Sequence, residues 1–511
     1  MKILLVNPRH IRGSAPSFLH GLLQLCAEVR RAGHECRIAD LCLPGAALPA
    51  GVWREYDVVG LSVMTTQLRH AADIARSAPA GARVVWGGVH CLLDPKSVLT
   101  AFPDHFVVAG EGEQPLLDLL RFFQGETDRD WLSTRSGVNF THGGAPVINK
   151  PWFMKSVEDL ADVDYHDLPD LSAAVNSYDY YFRATMPSLN VRVARGCLWD
   201  CSFCINSLFR KHGAFHRSKS MEKIRREIEP VIDEFKIQLV FPADDDFFAS
   251  KQLVRDWASF AREKGLLWGA NCRFNYFREN MVTPDLLRDL MQSGLFLLGM
   301  SIEAGDESVR NEIINKKVSD AHIAHAIDVI RGVAGKRLSL NTSFIIDFPG
   351  DTALNKIRTL KWMDRITREL NTTLSGPQVY RSYPGSRLYE QERSHPRGDL
   401  DYYLHNTTSR GEIRTYKRVP VSSWFYAETM RVVFSGRFRH LKLLQDSSGR
   451  PGWELDAEDT RSMKRRMADA LKWLLLCTVF MRLRTDFWKV FFEPAFIGAL
   501  QLAAARLRGR D

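Results

Sequence analysis

The chain has 511 residues, of which 45% are hydrophobic and 25% charged, an ordinary globular composition with room for two or three domains. Its formal net charge of +9 is uneven, because Arg461 to Asp511 holds eleven Lys or Arg against four Asp or Glu, a net of +7. The rest is nearly neutral, which disfavours a nucleic-acid partner. The first residues predict a buried strand and no signal peptide, so we expect a cytoplasmic protein.

Residues 1–125 alternate apolar, strand-like runs with helix-like segments, which predicts a doubly wound, Rossmann-like domain with a parallel sheet. Because ligands of such sheets lie beyond the carboxyl ends of the strands, the loops 7–13, 64–67, 87–90 and 110–113 should form one site. The candidate binding residues in these loops are His10, Met64, Thr65, Thr66, Gln67, Gly87, Gly88, Gly110 and Gly112.

Residues 126–188 have few regular periods and many Asp, Pro and Tyr, and we interpret them as a surface linker that packs on both neighbours. From 189 to 390 the alternation of strands and helices resumes over six units, which suits a partial (β/α)6 barrel of the TIM type. Residues 391–511 form a C-terminal region that ends in two apolar helical segments, 467–483 and 486–507. Each is too short in uncharged length to span a membrane, which needs about 20 apolar residues.

Three cysteines, Cys197, Cys201 and Cys204, follow the first barrel strand with the spacing C-x3-C-x2-C. Thiolates are the preferred ligands of iron–sulfur clusters, and three ligands leave one iron of a four-iron cubane open for a substrate. A zinc site that recruits His212 or His216 is an alternative, although zinc sites usually pair C-x2-C with a second, distant pair. A disulfide is disfavoured, since the nine cysteines are odd in number and scattered along the chain.

Polar clusters follow the later barrel strands, where barrel active sites are built. The acids 244–246 are either a solvated turn or a site for an ammonium group or ribose hydroxyls. Arg273 is either a surface ion-pair partner or a group that faces a carboxylate. The further candidates are Asp244, Asp245, Arg273, Glu303 and Gly305 for cofactor binding, and Arg381 and Tyr383, after the sixth strand, for catalysis and substrate selection.

The cysteine triad, with Phe203 directly before the last cysteine, resembles the signature of the radical S-adenosylmethionine (SAM) superfamily. The resemblance implies that the open iron of a 4Fe–4S cluster binds SAM and that an electron from the cluster cleaves SAM to a 5′-deoxyadenosyl radical. It also implies an external electron donor such as a flavodoxin or ferredoxin. Glu303 lies in a segment similar to the family's Gly-Ile-Glu-Ser-Gly element, whereas Asp347 replaces the first glycine of its Gly-Phe-Pro-Gly element.

The loops of the first domain resemble those of the cobalamin-binding domain that precedes many radical SAM cores, especially at 87–90 and 110–113. The alternative is a domain of the same fold without the corrinoid. His10 and Gly13 match an Asp-x-His-x-x-Gly motif of other cobalamin proteins, but Pro8 replaces the Asp that would orient the histidine. His10 is therefore either a cobalt ligand or a loop histidine, and the residues that face the cobalt should come from 64–67.

Together the two resemblances imply a cobalamin-dependent radical SAM methyltransferase that moves a methyl group from SAM through methylcobalamin to an unactivated carbon of a small or lipidic metabolite. The alternatives are a cyclase or rearranging enzyme of the same family and, from another class, a non-catalytic iron–sulfur redox sensor. The C-terminal helices are either a cap over the substrate site or a peripheral contact with a membrane.

Overall fold

The computed structural model describes residues 1–10, 17–177, 186–213, 215–278, 281–380, 385–392, 399–406, 441–445 and 451–455. The chain divides into two compact units. Unit 1 comprises residues 1–177, 185–271 and 381–416, and unit 2 comprises residues 178–184, 272–380 and 417–511.

Unit 1 begins with a seven-stranded sheet in the order β2-β1-β3-β4-β5-β6-β7, in which the first five strands are parallel and the last two are antiparallel additions. The sheet therefore continues into residues that the sequence assigned to the linker. Its strands are β1 (Lys2–Asn7), β2 (Glu35–Asp40), β3 (Val58–Ser62), β4 (Val84–Gly87), β5 (Phe106–Val108), β6 (Val138–His142) and β7 (Ala145–Val147). Its helices are α1 (His20–Arg31), α2 (Val52–Glu55), α3 (Leu68–Arg76), α4 (Val89–Leu93), α5 (Pro95–Ala101), α6 (Glu113–Phe123) and α7 (Arg129–Ser133).

Strand β1 shows why this sheet is buried on both faces. Successive side chains of a strand point to opposite faces, and every residue from Ile3 to Val6 is apolar. Ile3 and Leu5 belong to the core cluster that contains α1 and α6, whereas Leu4 and Val6 belong to the cluster that contains α3 and α5.

The remainder of unit 1 supplies three parallel strands, in the order β8-β11-β12, and their helices. The elements are α8 (Leu171–Val175), β8 (Ser188–Val191), β9 (Ala194–Arg195), α9 (Asn206–Lys211), β10 (Arg217–Ser218), α10 (Met221–Phe235), β11 (Leu239–Pro242), α11 (Lys251–Lys264), β12 (Leu267–Cys272), α15 (Arg387–Glu392) and α16 (Leu400–Asn406).

Unit 2 supplies three more parallel strands, in the order β13-β14-β15, and a short antiparallel hairpin. Strand β15 begins seven residues before the predicted position at 378, because its polar residues and Pro377 hide it from a search for apolar runs. The elements are α12 (Pro284–Gln292), β13 (Leu295–Met300), α13 (Asp320–Val333), β14 (Ser339–Ile346), α14 (Ala353–Glu369), β15 (Asn371–Val379), β16 (Leu441–Gln445) and β17 (Pro451–Leu455).

The predicted fold class is therefore confirmed: a parallel, doubly wound sheet is followed by six barrel-type strands that alternate with helices. The domain boundaries at 125, 188 and 390 stay predictions. In the described part of the chain, no helix is long and apolar enough to cross a membrane. The C-terminal segments 467–483 and 486–507 lie outside the described residues.

The linker packs on both of its neighbours in unit 1. The backbone N–H of Ala161 donates to Glu28 of α1 at 2.6 Å, and the Ala161 carbonyl accepts from Gln24 at 2.8 Å. One residue further on, the Asp162 carboxylate accepts from the buried Lys223 of α10 at 2.7 Å. Hydrogen bonds to α1 on one side and to α10 on the other therefore hold this segment between the two helices.

Helix α16 also packs on the N-terminal domain, although it follows the barrel in sequence. Leu400 and Tyr403 belong to the same core cluster as Leu68 and Val98 of α3 and α5. In addition, Arg69 donates to the carbonyl of Leu404 at 2.9 Å.

Gly110 is required by packing, which gives a stability prediction. It has φ of +103°, and a Cβ atom there would lie 2.1 Å from the carbonyl oxygen of Trp152. We expect Gly110→Ala to lower the free energy of unfolding by about 3 kcal/mol, measured by urea denaturation. Gly125→Ala is the matched control, because Gly125 also has a positive φ of +80° but no atom within 4 Å of the added Cβ. Equal losses in the two variants would contradict the packing argument.

Candidate active site

The cysteine loop begins directly after β9. Gly196 makes the turn with φ of +81°, and a Cβ there would lie 2.5 Å from the carbonyl oxygen of Phe215. Cys197 and Cys201 are buried, with 8% and 7% exposure, whereas Cys204 is half-buried. The N–H of Cys204 donates to the carbonyl of Cys201 at 3.1 Å, so the last two cysteines share one tight turn.

Two arginines hold this loop through its backbone. Arg210 of α9 donates to the carbonyl oxygens of Leu198 at 2.7 Å and of Cys197 at 3.3 Å. Arg387 of α15 donates to the carbonyl of Asp200 and to the Ser202 hydroxyl, both at 3.0 Å. Both guanidinium groups donate to backbone carbonyls of the loop, and Arg387 also pairs with the Asp200 carboxylate at 3.1 Å, so together they fix the loop.

The loop suits an iron–sulfur cluster in its donor chemistry. Three thiols lie within eight residues, and the two buried ones are protected from solvent. Among the described residues, no three His, Cys, Asp or Glu side chains converge on one point as the ligands of a single ion do. A cubane distributes three thiolates over three irons, so it does not need that convergence. Phe203, half-buried, lies between the last two cysteines as the motif requires.

The loop after β3 contains residues 64–67, from which the sequence expects the residues that face the cobalt. Gln67 is buried and donates to the Asn7 amide oxygen at 2.7 Å and to the Pro8 carbonyl at 2.6 Å, while its own oxygen accepts from the N–H of Met64 at 2.8 Å. Gln67 therefore has a structural role in shaping the loop. Met64 is left 49% exposed at the tip.

His10 lies beside this loop. Its Nδ1 is 2.9 Å from the hydroxyl of Thr66. Burial lowers the pKa of His10, although Asp40 opposes the shift, so the imidazole is neutral at physiological pH. A neutral imidazole can bind a metal, but among the described residues the group that bonds to His10 is the Thr66 hydroxyl and not an orienting carboxylate.

The glycines of the two motifs have different roles. A Cβ at Gly88 would lie 2.6 Å from the backbone nitrogen of Val63, so packing between β4 and β3 demands glycine there, as it does at Gly110. A Cβ at Gly87 would meet nothing within 4 Å, whereas a Cβ at Gly112 would meet the side chains of Leu25 at 3.1 Å and Val108 at 3.8 Å. Gly87 is therefore the member that leaves open space for a ligand.

Two glutamates of the Gly-Glu-Gly-Glu segment bind the strand that leads to the cysteines. Arg195 donates to Glu113 at 2.7 Å and lies 3.4 Å from Glu111. Arg217, which pairs with Arg195 across β9 and β10, donates to both oxygens of Glu111 at 3.0 Å. Sequence reasoning treated this segment only as a glycine loop, although two acids spaced by one residue were a visible signal of paired cation partners.

A cavity of about 470 Å³ in unit 1 lies between the glycine loops after β4 and β5 and the start of the cysteine loop. Its walls combine glycine and apolar residues of the first domain with residues of the cysteine loop and α9. They include Gly60, Gly87, Val89, Gly112, Gly196 and Asn206. The glycine-lined wall provides the close approach that a corrinoid needs, so the residues fit that cofactor.

Asp244 and Asp245 lie at the carboxyl end of β11 but have different surroundings. One oxygen of Asp244 accepts from the N–H groups of Val193 and Ala194 at 3.1 and 3.0 Å, so this carboxyl fixes the end of the first barrel strand. Asp245 lines the cavity and lies 3.9 Å from Arg192. Of the two, Asp245 is better placed to contact a ligand.

The neighbouring acid, Asp246, belongs to the acidic cluster 244–246 that the sequence predicts, although only Asp244 and Asp245 are proposed there as binding residues. It is buried, and its Oδ2 lies 3.6 Å from the Cys197 sulfur and accepts from the N–H of Leu198 at 3.4 Å. It therefore supports the cysteine loop directly.

In unit 2, Glu303 follows β13 and has φ of +65°. Its carboxylate accepts from Lys316 at 3.2 Å, and both side chains are buried. Gly305 is demanded by packing, since a Cβ there would lie 2.2 Å from the Cα of Thr359. Arg273 donates to the carbonyl of Lys316, so it shapes the same loop. Sequence reasoning missed Lys316, because nothing in its local pattern indicates a buried partner thirteen residues away from Glu303.

Asp347 stands where the family's Gly-Phe-Pro-Gly element has its first glycine. It has φ of +74°, the conformation that glycine adopts most easily, which accounts for the glycine of the family element. The Asp347 carboxylate accepts from Lys356 at 2.9 Å, and its N–H donates to Asp351 at 2.8 Å. Arg381 and Tyr383, the predicted catalytic pair, lie outside the described residues.

Two family models match the chain. The B12 binding domain matches residues 15–120, and the Radical SAM superfamily matches residues 191–363. The chain therefore carries the two domains of the cobalamin-binding radical SAM family, as the cysteine triad and the glycine loops predicted. Cobalamin, SAM and a 4Fe–4S cluster, the cofactors that the resemblance implied, are the cofactors of this family and of this chain.

Relatives and solved structures agree with this assignment. An uncharacterized methyltransferase, PH0819, of Pyrococcus horikoshii is 26% identical over 76% of this chain and 83% of its own length. The hopanoid C-3 methylase of Methylococcus capsulatus is 23% identical over 72% of this chain and 68% of its own length. The radical SAM methyltransferase TsrM of Kitasatospora setae, solved with cobalamin and a 4Fe–4S cluster, shares the fold with a TM-score of 0.57 and 15% identity, over 76% of this chain and 77% of its own.

Asp244 gives a prediction for stability against pH. Burial raises the pKa of Asp244 to about 7, despite Arg192 and the two backbone donors. The folded state then holds a proton that the unfolded chain releases near pH 4, so the stabilisation is full below about pH 4 and is lost as pH rises through 7. We expect Asp244→Asn to flatten thermal stability between about pH 5 and 8, by at most about 1.4 kcal/mol per pH unit.

The matched control is Asp245→Asn, which removes the same charge one residue away at a side chain that is 40% exposed. It should keep most of the wild-type slope of melting temperature against pH, because burial is the largest cause of the raised pKa of Asp244 and the charge of Asp245 is a smaller one. A slope that is the same in the wild type and in Asp244→Asn would contradict the assignment.

The buried pair of Glu303 and Lys316 gives a second prediction. Lys316→Met leaves a buried carboxylate without its cation and should lower the free energy of unfolding by about 3 kcal/mol, measured by urea denaturation. Adding Glu303→Gln should recover a large part of the loss, because no unpaired charge is then buried. Additive losses in the double variant would show that the two side chains do not interact.

Proposed function

We propose that the protein methylates an unactivated carbon of a small or lipidic metabolite, with SAM as the source of the methyl group. When bound, the cluster supplies the electron that cleaves SAM, and the corrinoid carries the methyl group. The observation that carries the proposal is a cavity of unit 1, which is lined by Gly87 and Gly112 of the corrinoid loops and by Gly196 and Ile205, the residues that flank the cysteines. Such a cavity lets substrate approach both cofactors at once.

The protein groups position the reacting partners and exclude water. Arg195, bonded to Glu111 and Glu113, holds the strand before the cysteines against the loop after β5. Arg210 and Arg387 hold the cysteine loop itself. Positioning of this kind converts encounters between separate molecules into contacts within one site.

The apolar character of the substrate is supported by exposed side chains. Among the described residues, five large apolar side chains are exposed, and three of them, Met64, Val89 and Leu198, lie in the corrinoid and cysteine loops. A fourth, Phe215, precedes β10, and its carbonyl lies against Gly196 at the start of the cysteine loop. Exposed apolar surface of this kind is typical of a binding site. The hopanoid methylase among the relatives is consistent with the lipidic choice.

An external electron donor such as a flavodoxin or ferredoxin is part of the proposal, because the cluster must be reduced for each SAM that is cleaved. A peripheral membrane contact through the C-terminal helices stays a prediction, since those helices lie outside the described residues. The cyclase and redox-sensor alternatives are favoured by no observation of the described residues.

The test is a labelling experiment on anaerobic, cluster-reconstituted protein with cobalamin, a reductant and SAM labelled in its methyl group. We expect the label on the corrinoid, 5′-deoxyadenosine in solution and, with the correct substrate, labelled product. Cys201→Ala should abolish 5′-deoxyadenosine, whereas Cys26→Ala, a buried cysteine of α1, should not. Deoxyadenosine without methyl transfer would support a cyclase instead, and no SAM cleavage in the wild type would support the redox sensor.

A further inference from the structure

Thr65 is the half-buried hydroxyl at the start of the turn that follows β3. Met64, its neighbour in sequence, and Val89, which lines the cavity of unit 1, are 49% and 37% exposed. A hydroxyl group close to exposed apolar surface suits a large ring system with polar substituents. What Thr65 offers such a ligand depends on the direction of its single O–H.

His90 lies between Thr65 and Ser97 and is fully buried. Its Nδ1 is 3.2 Å from the Thr65 hydroxyl, and its Nε2 is 3.1 Å from the Ser97 hydroxyl. The ring of Tyr403 covers it edge-on, with the ring centroids 4.8 Å apart. Burial lowers the pKa of His90 to about 3, so the imidazole is neutral and carries one N–H.

The backbone carbonyl of Asp94 determines where the protons lie in the hydrogen-bond chain of Thr65, His90 and Ser97. The Ser97 hydroxyl lies 2.8 Å from the backbone carbonyl of Asp94, which can only accept, so Ser97 donates its single proton there. Ser97 must then accept from His90, which places the imidazole proton on Nε2. Nδ1 is left as an acceptor, and Thr65 has to donate its only O–H to it.

The Thr65 oxygen therefore presents lone pairs, and no proton, to a ligand. A corrinoid with amide side chains offers N–H donors at its periphery, whereas one with a carboxylate offers only acceptors at neutral pH. We propose that Thr65 is a specificity-determining residue that accepts a hydrogen bond from a peripheral amide of the corrinoid and so rejects corrinoids in which that amide is a carboxylate. The proposal rests on the proposed corrinoid-dependent function.

The test compares the binding of hydroxocobalamin with that of its b-, d- and e-monocarboxylic derivatives to the full chain. Equilibrium dialysis at about pH 8 keeps the carboxylates ionised and needs no turnover. We expect at least one derivative to bind about 10-fold or more weakly than hydroxocobalamin, the scale of an acceptor that faces an acceptor. Thr65→Ser keeps the oxygen and should keep this ratio, whereas Thr65→Val should bring the two affinities to within about 3-fold.

Ser97→Ala tests the proton assignment without touching Thr65. With no acceptor at Nε2, the imidazole can carry its proton on Nδ1 and donate to Thr65, whose O–H then turns to the ligand. The ratio of affinities should fall to about 1 or reverse. Simple damage to the loop would weaken all corrinoids alike and keep the ratio, which would overturn the assignment.

The outcomes separate the two proposals. Wild-type protein that binds hydroxocobalamin and every derivative equally would overturn the role of Thr65 alone, as would a Thr65→Val variant that keeps the wild-type ratio. Protein that binds no corrinoid at all would overturn the corrinoid-dependent function and the inference with it.

Discussion

The ion pairs of Arg195 with Glu111 and Glu113 connect the segment that carries the cysteines with the glycine loop after β5. Arg195 is the last residue of β9, two positions before Cys197, and the glutamates belong to the loop after β5. The side chains of all three are at most 19% exposed, so removal of any one would leave a poorly solvated charge. A buried pair of this kind adds little net stability compared with apolar packing, but it strongly disfavours any other alignment of the two segments. The cavity that both loops line depends on that alignment.

Local pattern was enough to predict the parts of the fold that follow from it. Strand β1 is apolar from Ile3 to Val6 and lies between β2 and β3 in the parallel sheet, and the cysteine spacing identified the metal loop directly. Strand β15 was placed too late because Thr372, Thr373 and Ser375 give it no apolar run. A strand next to other strands can take such residues when the neighbours supply its contacts, and no window of sequence reveals those neighbours.

The types of residue at the site were predictable from the sequence, but the role of each residue was less predictable. Asp244 was expected near a ligand, yet its carboxyl accepts two backbone N–H groups and fixes the end of β8. Gly88 and Gly110 belong to a motif that suggests close approach of a ligand, but the groups that approach them are the backbone of Val63 and of Trp152. Sequence shows that a position needs a small residue or an acid. Only the three-dimensional contact shows which neighbour imposes the need.

The cysteine loop and the loop after β3 are held in different ways, the first by charged groups and the second by neutral hydrogen bonds. The cysteine loop is held by the guanidinium groups of Arg210 and Arg387, whose positive charge suits a loop that carries thiolates. The loop after β3 is held instead by the amide of Gln67 and the neutral imidazole of His90. Because both of these supports are uncharged, shape and single hydrogen bonds would have the larger part in recognising a corrinoid at this loop. Because each such bond has a defined donor and acceptor, the direction of one hydroxyl proton is enough to decide which corrinoid the face accepts.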